Sequence, residues 1–172
     1  MPQNVASRLR KTLYWLQHRE LFLAQLKKEI AALYDRVTAE GFELIIRLNG
    51  TSDIRWEKHG IPQAFPHITF YDYTKIPGRK VPANYDLTYS YSGAQAFKPL
   101  VDRALAAGDR LAVVFRSQKL VRAKLAAGET FLGLPIVDGD DSDVRHLDPR
   151  GVVVALYAKG RARKDRGPFV QD

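Results

Sequence analysis

The chain has 172 residues, of which 45% are hydrophobic and none is cysteine, and its formal net charge is +8. This composition predicts one folded domain with a sizeable core, and no apolar run approaches the roughly 18 residues of a membrane helix. The lack of cysteine excludes disulfides, thiolate catalysis and iron–sulfur clusters within the chain. We therefore expect a cytoplasmic protein without a cofactor and without a membrane partner.

The first forty residues are predicted to be helical, because apolar side chains recur every seven residues over 5–40. Arg19-Glu20 interrupts this stripe, which favours two consecutive amphipathic helices over one coiled coil. The break between them is expected near Gln17-His18, and Gly41 is expected to end the second helix.

Short β-branched runs bounded by turn residues predict the strands. A helical turn is expected at 54–59, a helix at 94–107, and another helix after its cap Ser117. The connection 76–84 is proline-rich and too short for a crossover helix, so it is predicted to be an irregular crossover or a flap. The six predicted strands are 43–48, 67–72, 85–91, Leu111–Phe115, Leu134–Val137 and Val152–Tyr157.

Alternating strands and helices predict an α/β fold with a mainly parallel sheet of five to six strands, preceded by an N-terminal helical segment. Leu111–Phe115 is the most apolar strand and is expected to be central. The sequence leaves open whether the sheet is part of a (β/α) barrel or an open sheet. It predicts a single domain, with helices at 5–40, an α/β core at 43–158 and a basic tail at 159–172.

Three predicted strands end in polar residues, and the carboxyl ends of parallel strands face the same side of a sheet. These residues are therefore expected at one rim. Asp53 and Asp72 could bind a metal or act as acid and base, while Lys75 and Arg79 could hold a phosphate; alternatively they are helix caps and internal ion pairs. No catalytic residue is assigned. The candidate ligand-binding residues are Asn49, Ser52, Asp53, Asp72, Tyr73, Lys75, Arg79 and Ser90.

Basic residues gather near both ends of the chain, which is typical either of solvated helix faces or of a nucleic-acid surface. The candidate nucleic-acid-binding residues are Arg8, Arg10, Lys11, Arg161, Arg163 and Lys164.

The acidic run 138–143 is a weak metal candidate, because it lacks the spacing and the closing glutamate of an EF-hand. A solvated acidic turn, or a salt-bridge network with Arg145 and Lys159, is the alternative. The weak metal-binding candidates are Asp138, Asp140 and Asp143.

The blocks RLNGTSDIRWE, FYDYTKIPGR, NYDLTYS and IVDGDDSDVRHLDP and the closing ALYAKGRARKD resemble, in this order, a group of bacteriophage and prophage proteins. Longer members of that group begin with a cysteine-containing segment similar to radical-SAM cluster motifs, and this chain lacks that segment. The resemblance implies a barrel remnant reused for binding, and it lends no settled activity.

Two functions therefore stay open. The first is a phage or prophage accessory protein that binds a host protein, ribonucleoprotein or nucleic acid in the host cytosol, including inhibition of a nucleic-acid-guided defence complex as an anti-CRISPR protein does. The second is a small barrel-type enzyme that acts on a phosphate-bearing substrate. The sequence does not decide whether the protein is an enzyme.

Overall fold

The computed structural model describes residues 2–172 and divides them into two compact units. The helical unit consists of the chain up to Ile45 together with Arg55–Ile68. The sheet unit consists of Ile46–Ile54 and Thr69–Asp172. Within the described residues, no helix is both long enough and apolar enough to span a bilayer.

The helical unit begins with a helical hairpin, as the interrupted heptad pattern predicts. His18 separates the two helices because its φ of −136° lies outside the helical region. Trp15 fixes the hairpin to the following turn, since its ring lies 5.4 Å from Phe22 and 5.3 Å from Trp56. The helices are α1 (Pro2–Gln17), α2 (Arg19–Ala39) and α3 (Ile61–Ala64), with a 3₁₀ helix at Trp56–His59 before α3.

Gly41 ends α2, which confirms its predicted role. Its φ of +82° is the left-handed conformation that glycine adopts without strain. The N–H of Gly41 donates to the carbonyl of Thr38, and the N–H of Phe42 donates to the carbonyl of Val37. These two bonds form a Schellman motif that satisfies the last carbonyls of the helix.

The sheet is open, mostly parallel and, within the described residues, eight-stranded. Seven strands follow the order β1-β2-β3-β4-β7-β6-β5, and the eighth, β8, pairs with β4. The pairs β2–β3, β3–β4, β4–β7, β4–β8 and β6–β7 are parallel, and the β5–β6 hairpin is antiparallel. The predicted α/β class and parallel sheet are confirmed, and the open form replaces the barrel alternative. The strands are β1 (Ile45–Ile46), β2 (Thr69–Thr74), β3 (Tyr85–Ser90), β4 (Leu111–Phe115), β5 (Thr130–Phe131), β6 (Leu134–Asp138), β7 (Val153–Tyr157) and β8 (Val170–Gln171).

Strand β4 is the centre of the sheet, as its apolar sequence predicts. Its first two residues, Leu111 and Ala112, pair with β3. Its last two, Val114 and Phe115, pair with β8. Since β7 pairs along the whole length of β4, β3 and β8 share the opposite edge, one after the other. The sheet therefore splits at Ser90, where β3 leaves β4.

One face of the sheet packs against two helices, α4 (Lys98–Ala106) and α5 (Gln118–Ala126). Val113, Phe115 and Tyr89 point to this face and form the core with Val101 of α4 and Val121 of α5. Ser117 caps α5 as predicted, because its side chain accepts a hydrogen bond from the Leu120 N–H. Side chains alternate along a strand, so Ala112 and Val114 point to the other face.

Several boundaries differ from the sequence predictions. The first strand has two residues rather than six, and the helix predicted at 94–107 starts as a 3₁₀ helix at Gln95–Phe97. Strand β2 continues to Thr74 instead of ending at Asp72. The segment predicted as a basic tail contains the 3₁₀ helix Gly160–Lys164 and strand β8, so it is part of the sheet unit. Residues 75–84 form an irregular crossover between two parallel strands, as the proline content predicts.

Candidate functional site

Two adjoining cavities lie at the carboxyl edge of the sheet, and together they form what we call the edge groove. The larger has a volume of about 400 Å³ and the smaller about 200 Å³. Arg47, Tyr73 and Ser90 line both of them. The floor of the larger cavity includes Ala112 and Val114, whose small side chains leave space over β4. The edge groove thus occupies the sheet face opposite α4 and α5, where β3 separates from β4.

Three cations around the edge groove each lie over an aromatic ring. The Arg47 guanidinium lies 4.7 Å from the centre of the Tyr73 ring, and the Lys159 ammonium lies 4.7 Å from that of Tyr157. The Lys75 ammonium lies between two rings, 5.3 Å from Phe97 and 5.9 Å from Phe169. A cation attracts the negative face of a ring, so these contacts hold the charges in place; Lys159 is also paired with Asp140.

Lys75 is the positive charge at the point where the sheet splits. Its Nζ donates to the carbonyl oxygens of Ser90 and Tyr91, the latter at 3.1 Å, so it caps the end of β3. Among residues 2–172 it has no carboxylate partner within ion-pair distance. Burial lowers the pKa of Lys75, and the Asp53 carboxylate opposes that shift.

Hydrogen bonds to Asp53 connect the loop after β1 to the end of β2. Its carboxylate accepts hydrogen bonds from the Thr74 hydroxyl at 3.0 Å and the Lys75 N–H at 2.7 Å. Arg79, whose side chain is only 4% exposed, completes the set with an ion pair at 3.0 Å. Arg79 therefore forms an ion pair with Asp53 in this structure, whereas the sequence offered it as a candidate phosphate ligand.

Asp72 is a buried structural acceptor and not a residue at a strand end. Its carboxylate accepts hydrogen bonds from the Asn49 N–H at 2.8 Å, the Asn49 amide nitrogen at 3.0 Å and the Tyr85 hydroxyl at 2.7 Å. Burial raises the pKa of Asp72, and the hydrogen bonds from Tyr85 and Asn49 oppose that shift. The sequence placed Asp72 at the rim because β2 was predicted to stop two residues too early.

Asn49 organises the loop that forms one wall of the smaller cavity. Its side-chain oxygen accepts hydrogen bonds from the Ser52 hydroxyl at 2.8 Å and the Ile54 N–H at 3.0 Å. Together with its bonds to Asp72, this makes Asn49 the link between the loop and β2. The structure thus places Asn49 next to Asp72 and Asp53 next to Lys75, although Asp72 is buried and does not lie at the predicted rim. Six of the eight candidate ligand-binding residues line the smaller cavity: Asn49, Ser52, Asp53, Tyr73, Lys75 and Ser90.

The acidic loop forms part of the wall of the larger cavity, through Asp140 and Asp143. Asp140 accepts a hydrogen bond from the Tyr157 N–H at 2.9 Å and forms an ion pair with Lys159. Asp138 accepts from the Asp140 N–H at 2.9 Å and so closes the turn. Within the part of the chain that the structure describes, no three histidine, aspartate or glutamate side chains gather as a ligand set. Of the predicted salt-bridge network, the Lys159 pair is thus present, whereas Arg145 pairs with Asp148 outside the acidic run.

A buried arginine lies near Tyr73 as well. Arg145 is 1% exposed and forms an ion pair with Asp148 at 3.2 Å. Burial raises the pKa of the Tyr73 hydroxyl, while the charges of Arg145 and Arg47 oppose that shift. The charge of Asp143 adds to the rise, so charges of both signs surround the Tyr73 hydroxyl.

The two predicted basic clusters belong to different units. Arg161, Arg163 and Lys164 are exposed on the 3₁₀ helix Gly160–Lys164, and Ala162 of the same helix lines the larger cavity. This cluster is thus beside the edge groove. The second cluster is exposed on α1 in the helical unit and consists of Arg8, Arg10 and Lys11.

Sequence reasoning missed several residues of the groove. Arg47 had a usable signal, because it is the one charge inside the apolar run 44–48. Tyr157 also had one, since it ends the last long strand. Phe169 had none, because its position depends on β8 pairing with β4.

Comparison with known proteins identifies the family. No curated protein and no solved structure gives a significant match to this chain. One family model, described as Gene product 88, matches residues 1–171, which is nearly the whole chain. This family is of phage type, in agreement with the resemblance seen in the sequence. The chain belongs to the Gene product 88 family.

Proposed function

We propose that this protein is a phage accessory protein that binds single-stranded nucleic acid in the edge groove. One observation carries the proposal: three cations, Arg47, Lys75 and Lys159, each lie over an aromatic ring around a single open groove. Proteins that bind single strands combine rings, on which unpaired bases stack, with cations that follow the phosphates. The edge groove offers both groups within one surface.

The edge groove suits an unpaired strand better than a duplex or an isolated dinucleotide cofactor. Stacking on Tyr73, Tyr157 or Phe169 needs a free base face, which a duplex does not offer. The loop after β1 contains Gly50 but no glycine-rich fingerprint of the type that holds a pyrophosphate. The exposed cations Arg161, Arg163 and Lys164 beside the groove extend the positive surface for further phosphates.

The enzyme alternative has less support from the geometry. A pair of carboxylates that acts as acid and base must be able to reach the substrate. Asp72 is buried under three hydrogen bonds, and Asp53 accepts three more from Thr74, Lys75 and Arg79. Both carboxylates are therefore occupied by the protein's own donors, and binding is the function that we propose.

The proposal also concerns the partner of this protein in the host cell. A groove for unpaired strands would let the protein compete for the nucleic acid of a host ribonucleoprotein, including a nucleic-acid-guided defence complex. This part is tested separately, by adding the protein to a reconstituted guided nuclease and measuring target cleavage. Loss of inhibition in the groove variants described next would support it, and equal inhibition by those variants would contradict it.

The binding proposal is tested with labelled oligonucleotides of about 12 nucleotides, a length within the site size of single-strand binding folds. Fluorescence anisotropy compares single-stranded DNA, single-stranded RNA and a duplex. Tyr73→Leu should weaken single-strand binding about tenfold, because one stacked base is worth about 1–3 kcal/mol. Arg47→Gln should weaken it less and should reduce its salt dependence.

Arg19→Gln is the matched control for Arg47→Gln. The Arg19 guanidinium lies 4.6 Å from the centre of the Trp15 ring, nearly the same contact, but in the helical unit. It should leave the affinity unchanged. If wild-type protein binds no single strand at low salt, or if Arg19→Gln weakens binding as much as Arg47→Gln does, the proposal fails.

A further inference from the structure

Helix α1 carries an apolar stripe that is open to solvent. The stripe consists of Val5, Leu9, Leu13 and Leu16, whose side chains are 63%, 57%, 42% and 62% exposed. At about 100° per residue, these four positions fall within about 80° of the helix circumference. Large apolar side chains aligned in this way on a surface mark an interaction site more often than scattered ones do.

The stripe is not the face by which α1 is held in the helical unit. Tyr14 and Trp15 lie on the opposite side of the helix and pack against Phe22, with ring centres 5.5 Å and 5.4 Å apart. Trp15 also contacts Trp56 and His59. The hairpin is therefore complete without the stripe.

The charges of α1 all have one sign. Pro2–Gln17 contains no aspartate or glutamate, and Arg8, Arg10 and Lys11 are exposed. Arg8 and Arg10 flank the stripe, one on each side, at about 60° from its borders. A partner surface complementary to this helix therefore has an apolar ridge bordered by acidic residues.

We infer that the α1 stripe docks an acidic amphipathic helix of another protein. The narrow stripe, at spacings i, i+4, i+8 and i+11, is typical of helix-to-helix recognition. A second copy of α1 would bring arginines against arginines, which disfavours self-association. Membrane-surface helices bury broad faces rich in tryptophan, phenylalanine and leucine, whereas Trp15 lies on the other side of α1. This site assigns Arg8 and Arg10 to a protein partner rather than to nucleic acid.

The test uses the full chain and two synthetic helical peptides with the same leucine stripe. Glutamate flanks the stripe in one peptide, and lysine flanks it in the other. The acidic peptide should bind more tightly, and the double variant Leu9→Gln, Leu16→Gln should weaken its binding about tenfold or more, which corresponds to about 1.4 kcal/mol. Leu21→Gln is the control, since Leu21 is 62% exposed like Leu16 but lies on α2.

Because both stripe leucines are exposed, the double variant should keep the helical circular dichroism signal of the wild type. Equal affinity for the two peptides would overturn the inference. So would a dimer in sedimentation equilibrium that the double variant turns into a monomer, which would make a second copy the occupant. Stripe-dependent binding to phosphatidylglycerol vesicles without peptide binding would overturn it in favour of a membrane surface.

Discussion

Two neighbouring regions of the sheet unit hold charged residues in opposite ways. In the aspartate cluster, formed by Asp53, Asp72 and their donors, each carboxylate accepts three hydrogen bonds from the protein. In the edge groove, Arg47 and Lys75 lie over aromatic rings, and among residues 2–172 neither forms an ion pair. The first region uses its charges to hold loops on the sheet, whereas in the second neither cation is paired with a carboxylate of the described residues. Polar residues at strand ends therefore do not by themselves define a binding site.

The largest effect is expected when the aspartate cluster is broken. Asp72→Ala removes the buried acceptor of three donors: the backbone N–H of Asn49, the side-chain amide nitrogen of Asn49 and the Tyr85 hydroxyl. We expect the free energy of unfolding to fall by about 3 kcal/mol or more, because each stranded donor costs about 1–3 kcal/mol. Urea unfolding measures this loss.

The control is Asp102→Ala, which removes a carboxylate from an exposed ion pair with Lys98 on α4. An exposed pair of this kind contributes little to stability, so the unfolding midpoint should hardly move. Similar losses for the two variants would mean that the aspartate cluster has no special structural role.

A smaller loss of stability is expected from a substitution at Gly139, in the acidic loop beside the edge groove. A Cβ at Gly139 would lie 2.4 Å from the Val154 Cγ1 and 2.9 Å from the Ala155 carbonyl oxygen. We expect Gly139→Ala to reduce the free energy of unfolding by about 2 kcal/mol, as overpacking does. Thermal unfolding checks this, and Gly50→Ala is the control, because nothing lies within 4 Å of a Cβ there. An unchanged melting temperature for Gly139→Ala would contradict this packing.

The third prediction concerns the cations beside the groove. Replacing Arg161, Arg163 and Lys164 with alanine should weaken single-strand binding for all sequences alike. It should also make the slope of log affinity against log salt shallower by about 2, since each phosphate contact to a single strand contributes about 0.7. Anisotropy titrations over about 50–200 mM salt measure this slope.

The matched control removes the same charge from α1, through alanine at Arg8, Arg10 and Lys11. We expect this second triple variant to keep the slope of the wild type, because these residues are assigned to a protein partner. If only the α1 variant changes the slope, the nucleic-acid surface belongs to the helical unit instead.

The smallest effect is the pH dependence of the aspartate cluster. Burial raises the pKa of Asp72 above its ordinary value of 3.8, so the folded protein holds this proton more tightly than the unfolded chain. The pH-dependent part of the stability that Asp72 contributes is therefore fully present below pH 3.8 and is lost as the pH rises through the raised pKa. The free energy of unfolding of wild type minus that of Asp72→Asn should decrease over this window. A difference that increases with pH would contradict the direction of the shift.

Local sequence signals correctly predicted those strands and helix caps that depend on residues close to them in the sequence. Leu111–Phe115 is a strand with the predicted bounds, and Ser117 and Gly41 cap their helices as expected. Strand β8 was missed because two residues carry almost no pattern, and its place exists only because β3 leaves β4 at Ser90. The separation of β3 from β4 arises only in the folded sheet, so no local sequence signal indicates it.

The candidate site was predicted in part for the same reason. Asn49, Asp53 and Lys75 line one cavity, and loops that follow neighbouring parallel strands are expected to meet in this way. Whether a carboxylate is buried and satisfied depends on donors elsewhere in the chain, such as Tyr85 for Asp72 and Arg79 for Asp53. The residues next to each aspartate do not reveal these donors. The cation–aromatic pairs likewise join residues far apart in the chain, such as Arg47 with Tyr73 and Lys75 with Phe169.

The most direct measurement of the central claim is photochemical crosslinking to a single strand of bromodeoxyuridine, followed by mass spectrometry of the crosslinked peptides. Bases that stack on the edge groove should crosslink to Tyr73, Tyr157 or Phe169, and unlabelled single strand should compete. Duplex of the same sequence should give little product. Crosslinks confined to Tyr14, Trp15 or Phe22 of the helical unit would contradict the account.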